Sequence, residues 1–210
     1  MPRPYVPTIG LSGGIGSGKS HVATILASAG CEVSNADNQI RAALARPAVA
    51  RRLTVLLGSS ILNSSTGRID RARLAALIFS DPAARRKTEA LLHPLIEAER
   101  RRAWNSIRRR TPIARLPKAF VIDAPLLFEA KLNRECDAVI FIHAPQSLRL
   151  ARLRAARKWT AAELRRRQAA QLPLKFKRKM SDYVIVNTGD PAMLRSHVLS
   201  VLARILQKTT

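Results

Sequence analysis

Apolar positions along the chain follow two patterns. Continuous apolar runs at 8–11, 119–122, 138–142 and 183–186 read as strands buried on both faces of a parallel sheet, and Cys31-Glu32-Val33-Ser34-Asn35 reads as a fifth strand. Elsewhere the pattern is helical, predicting helices over 20–28, 39–45, 47–57, 71–79, 83–92, 95–109, 146–156 and 192–206, with another running from Thr160 to about 171. Punctuation supports several boundaries. Gly30 stops the first helix, Asp70 is placed to cap the helix at 71, Asp81-Pro82 opens the next, and Thr160 with Glu163 matches a capping box. His93-Pro94 separates two predicted helices. Pro2, Pro4 and Pro7 make residues 1–7 an extended lead-in. Strands separated by helices imply an α/β protein with a five-stranded parallel sheet and right-handed crossovers. The helical stretch from 38 to about 115, with little strand signal, predicts a subdomain laid over the active edge of that sheet.

Composition narrows the class. With 210 residues, 47% of them apolar, the chain can bury a full core as one α/β domain with appended elements. No apolar run approaches the ~20 residues needed to span a bilayer. Cys31 and Cys136 stand far apart with no secretory leader, so the expectation is a cytoplasmic protein with two ordinary thiols and no membrane partner. The net charge of +23 has two readings, an anionic partner or basic helix faces in water. Basic residues are dispersed over most helical stretches (Arg51-Arg52, Arg85-Arg86-Lys87, Arg100 to Arg102, Arg108 to Arg110, Arg165 to Arg167), which favours the second and predicts no specific nucleic-acid partner.

The candidate chemistry begins at Gly13-Gly14-Ile15-Gly16-Ser17-Gly18-Lys19-Ser20, which fits G-x-x-x-x-G-K-[ST] between a strand and a helix. Glycines let the backbone turn its N–H groups onto phosphate oxygens, and the following helix adds its positive end. Gly14 to His21 form the expected nucleotide-binding segment. Lys19 would reach the β- and γ-phosphates and Ser20 would offer magnesium a hydroxyl. Gly14, Gly16 and Gly18 give no G-x-G-x-x-G, which sets a dinucleotide fold aside. Asp37 follows the second strand, where a carboxylate either activates a hydroxyl or caps a helix. Arg41, four residues on, either meets a substrate phosphate or pairs with Asp37. Asp123 ends the third strand, as a water-mediated magnesium ligand or a loop cap.

Together these segments resemble the dephospho-CoA kinase family of P-loop kinases. The resemblance rests on LSGGIGSGKS (11–20), NADNQIR (35–41), GRIDRARLAALIFSDP (67–82), LLHPLIEAE (91–99), DAPLLFE (123–129) and SDYVIVNTG (181–189). It implies a P-loop NTPase fold and a kinase using ATP and Mg2+ to phosphorylate the ribose 3'-hydroxyl of dephospho-CoA, the last step of coenzyme A synthesis. The implied core is about 1–37, 118–148 and 180–210, with a substrate-binding insertion at about 38–117 and a lid at about 149–179. Asp37 would be the general base, Lys19, Arg152 and Arg157 catalytic cations, and Ser20 and Asp123 the metal residues. Arg41, His93 and Leu126 would bind dephospho-CoA; Asn187, after the last strand, would lie by the nucleotide. Asn35 stands where the family's pattern has a first aspartate, and Ala156 where it has a second lid arginine. His21 replaces the family's usual Thr. The expected assembly is a monomer or weak oligomer. Three other readings of the motif are another small-molecule P-loop kinase, a nucleic-acid-stimulated NTPase, which the 4% aromatic content disfavours, and a nucleotide-binding relic without turnover.

Overall fold

The computed structural model describes residues 4–209, so Pro2 of the expected lead-in lies outside the described residues. In chain order the elements begin with β1 (Thr8–Gly13), α1 (Lys19–Ser28), β2 (Glu32–Asn35), α2 (Ala36–Leu44), α3 (Pro47–Leu57), α4 (Arg71–Ser80) and α5 (Pro82–Arg110). There follow β3 (Phe120–Asp123), β4 (Ala138–His143), α6 (Gln146–Arg157), α7 (Ala161–Ala169), α8 (Leu174–Lys179), β5 (Tyr183–Val186) and α9 (Pro191–Thr209). The chain folds as two compact units, one from the described residues of Met1–Asn35 and Arg110–Thr210, the other Ala36–Arg109.

The first unit holds a five-stranded sheet in the order β2-β3-β1-β4-β5, every pair parallel. β1 is central, so the glycine-rich loop leaves the middle of the sheet's carboxyl edge. Ile9, Leu11, Val121, Ile140 and Ile142 pack against Val22 and Leu26 of α1 and Val198 and Leu202 of α9. Phe120 and Ile122, facing the other way, are also buried. Both faces of the central strands are therefore covered, which is why their sequences are continuous apolar runs rather than alternating ones.

The second unit has its own core, in which Leu44 of α2, Val49 and Leu53 of α3, Leu74 of α4 and Leu91, Leu92 and Ile96 of α5 meet. Asp70 caps α4 as expected, accepting from Ala72 N at 2.9 Å and Arg73 N at 3.1 Å. The polar stretch before it closes into a small hairpin through an antiparallel bridge between Leu62 and Ile69.

Several expectations are revised. The helices predicted on either side of His93-Pro94 are one helix, α5, with Pro94 inside it. Pro94 removes one N–H, but Thr88, Leu91, Leu92, Ile96, Arg100 and Trp104 form a buried stripe along the helix, and that burial outweighs one lost hydrogen bond. α2 begins at Ala36, directly after β2, so Asp37 sits in the first helical turn rather than at the cap. The short α8 was not anticipated. Residues 110–117, expected in the insertion, group with the sheet-bearing unit.

Candidate active site

The glycine-rich loop is held from below by groups remote in sequence. Gly18 precedes α1 with φ +95°, and a Cβ there would collide with the Asn187 side-chain nitrogen. Gly13 has φ +150°, and a Cβ would come within 2.6 Å of the Ile142 carbonyl oxygen. Side chains are excluded at both positions by strain and by contact. Within the loop Ser17 N donates to Gly14 O at 3.1 Å, and His21 N and Val22 N both donate to Gly18 O at 3.1 Å, starting the helix.

Asn187, only 2% exposed, donates from Nδ2 to Ser17 O at 2.9 Å, and its Oδ1 accepts from Arg152 Nη2 at 3.0 Å. Its own N–H donates to His143 O at 2.7 Å, which ties this network to the end of β4. Arg152 Nη1 also reaches Gly16 O and Ser17 O, each at 3.4 Å. Arg149, one turn earlier on α6, is buried; its Nη1 donates to Gln168 Oε1 at 3.0 Å and approaches Ile15 O at 3.4 Å. Burial pulls the proton affinity of Arg149 below its ordinary value, yet a guanidinium stays charged at any working pH. Two cations thus flank the loop on its carbonyl side, giving the cradle a positive field suited to a polyanion.

At the carboxyl edge Asn35 and Asp123 are register partners on β2 and β3, and Asn35 Nδ2 donates to Asp123 Oδ2 at 2.9 Å. Asp123 is buried. An amide at position 35 supplies a donor where a second carboxylate would repel the first. Ser20 is exposed on the first turn of α1, and Lys19 is half-buried beside it. Among the described residues no three His, Cys, Asp or Glu side chains cluster as a metal cage. One hydroxyl and one buried carboxylate are hard oxygen donors, a set that fits Mg2+, which keeps several waters and takes its other oxygens from phosphates.

The remaining expected residues are placed as follows. Leu126 is exposed in the turn after β3, where Leu127 and Phe128 beside it are buried. His21 is exposed on α1. Arg157 stacks on Trp159 at 5.2 Å, with Arg167 over the same ring at 4.4 Å. In the helical unit Asp37 and Arg41 are exposed one turn apart on α2, and His93 is exposed on α5. Sequence reasoning missed Arg149, Gln168 and Lys177. Arg149 and Arg152 share a helix face at i, i+3, which was a legible signal. Lys177 was not, because its partner is remote: Nζ, fully enclosed, pairs with Glu129 Oε1 at 2.7 Å, while Leu172 N donates to the same oxygen at 2.9 Å.

Comparison with known proteins agrees with this geometry. A family profile described as dephospho-CoA kinase matches residues 7–192. The chain is 38% identical to a dephospho-CoA kinase of Synechococcus sp. (strain CC9902), over 86% of this chain and 88% of the relative. It is 36% identical to one of Geobacillus kaustophilus (strain HTA426), over 93% and 94%. A crystal structure from Thermus thermophilus superposes with a TM-score of 0.78 at 32% identity, covering 95% of this chain and 98% of that one. With a family profile spanning nearly the whole length and a braced phosphate loop on the central strand, the chain belongs to the dephospho-CoA kinase family.

Proposed function

We propose that the protein transfers the γ-phosphoryl group of ATP to the ribose 3'-hydroxyl of dephospho-CoA, yielding coenzyme A and ADP. The observation that carries this is the glycine-rich loop on β1, flanked by Arg149 and Arg152 and pinned by Asn187, in a chain of this family. In the transfer the 3'-oxygen bonds to the γ-phosphorus as the bond to the β,γ-bridging oxygen breaks. The hydroxyl proton passes to the carboxylate of Asp37, which orients the nucleophile beforehand. Loop amides and Lys19 hold the triphosphate along Gly14 to His21, and Lys19 with Arg152 offsets charge gathering on the transferred group. Arg149 stiffens the cradle, and Arg157 is the second lid arginine, joining Arg152 in offsetting charge on the transferred group. Ser20, and Asp123 through water, would hold Mg2+, which would neutralise charge on the triphosphate. Arg41, His93 and Leu126 bind the acceptor. The segment 149–179 acts as a lid that keeps water from taking the phosphate. We place this activity in the cytoplasm of the cell, in a monomer or weak oligomer with no specific nucleic-acid partner.

The test is ADP release by purified protein with dephospho-CoA, adenosine or shikimate as acceptor. Turnover with dephospho-CoA well above the other two is expected, and Asp37→Asn should lower kcat by roughly 10²–10⁴-fold with the ATP KM little changed. Equal turnover with all three acceptors would refute the assignment.

A further inference from the structure

The turn after β3 and the return of the chain from α7 to α8 meet at one carboxylate. Lys177 of α8 is fully enclosed, and its Nζ lies 2.7 Å from Glu129 Oε1. Leu172 N, just before the Pro173 that opens α8, donates to the same oxygen at 2.9 Å. Lys177 Nζ also donates to Gln171 Oε1 at 3.2 Å, and the Phe176 ring stands edge-on to Phe128 at 6.4 Å. Glu129 Oε2 is buried and accepts no hydrogen bond among the described residues, so it is Lys177 that answers this charge. A buried ion pair often contributes no more stability than apolar side chains of the same volume. What this one adds is direction, because two donors from the start of α8 have to converge on one oxygen of the turn.

The residue fixed by this convergence is Leu174, which lies between Leu172 and Lys177 and reaches the glycine-rich loop. A Cβ added at Gly14 would stand 3.3 Å from Leu174 Cδ1 and 2.6 Å from Arg149 Nη1, so the two side chains close over the same glycine. Arg149 Nη1 in turn donates to Gln168 Oε1 of α7 at 3.0 Å. Resting on the ATP reading above, we propose that Lys177 and Glu129 are positioning residues for the phosphate loop, acting through Leu174. The pair fixes the start of α8 on the turn after β3, and Leu174 then backs Gly14. The loop's amides are thereby held in place before ATP arrives, which lowers the ordering cost of binding. Lys177, being enclosed, does not itself touch the nucleotide.

The test is calorimetric titration of ATP with Mg2+ into the full chain, alongside the melting temperature. Lys177→Met should weaken ATP binding at least about tenfold. Adding Glu129→Gln removes the stranded charge, so part of the lost melting temperature returns. ATP binding by that double variant should stay within about twofold of Lys177→Met, because the convergence is still broken. Leu174→Ala leaves the ion pair intact and should weaken ATP binding at least about fivefold with a smaller drop in melting temperature, and this arm does not depend on whether Lys177→Met folds. Lys177→Met/Leu174→Ala should bind ATP within about twofold of Lys177→Met, since both residues act along one path. ATP affinity that recovers together with the melting temperature in Lys177→Met/Glu129→Gln, or wild-type affinity in Leu174→Ala, overturns the proposal. Absence of dephospho-CoA turnover by wild type that still binds ATP instead overturns the phosphoryl-transfer reading, and the two failures are read in separate experiments.

Discussion

Asn187→Ala tests whether the phosphate loop is held by its underside. Truncation removes the bond from Asn187 Nδ2 to Ser17 O at 2.9 Å and the charge-assisted bond from Arg152 Nη2 at 3.0 Å. A neutral bond contributes about 1 kcal/mol and one to a charged group about 1.5–3 kcal/mol. Ser17 O keeps only the long 3.4 Å approach of Arg152 Nη1, so little is recovered. The expected loss is roughly 3 kcal/mol, which for a chain of this size lowers the melting temperature by about 6–12 °C. Scanning calorimetry of the ligand-free protein reads this directly, and the ATP KM should rise because the loop's amides are no longer held in register. A thermodynamic cycle with Arg152→Ala isolates the pair, with a coupling of about 1.5 kcal/mol expected. A melting shift under about 2 °C together with strictly additive single variants would refute the reasoning, since both bonds would then be worth nothing in solution.

Other consequences can be measured independently. Gly18→Ala places a side chain at φ +95° against Asn187, so ATP affinity should fall at least about tenfold. Gly67→Ala, with φ +64° and no atom within 4 Å of the added Cβ, should cost only about 1–2 kcal/mol of backbone strain and leave ATP affinity intact; equal effects on ATP affinity from both would discredit the contact argument. Lys177→Met strips the half-buried Glu129 carboxylate of its enclosed cation, lowering stability in urea by about 3–5 kcal/mol. Adding Glu129→Gln should restore part of the loss, and the absence of any restoration would show that packing rather than charge is responsible. Burial pushes the Cys31 thiol up from 9.0 to about 11. Between those pH values the unfolded chain has released this proton and the folded chain has not, so stability should fall as pH rises from 9.0 to about 11. Cys31→Ala should flatten that part of the profile, and an unchanged slope would count against the burial argument.

Much of the architecture was legible locally. The continuous apolar runs identified the central strands because a sheet covered on both faces favours apolar side chains at most positions. The glycine-rich motif identified the phosphate loop, since the conformations of Gly13 and Gly18 are available to few other residues. Asp70 announced α4 through its own side chain. Each signal depends on residues within a few positions of one another, which is what a sequence displays.

Tertiary structure decided whatever depends on partners far apart in the chain. Pro94 looked like a helix boundary, and burial of the stripe from Thr88 to Trp104 made it interior. Asp37 entered the first turn of α2 because that helix starts as soon as β2 ends. Strand order, the grip of Asn187 on Ser17 across 170 positions and the enclosure of Lys177 by Glu129 follow from packing. Local residue type sets backbone conformation and burial preference, whereas the choice among possible partners is made only when the core closes and each buried polar group has to be matched.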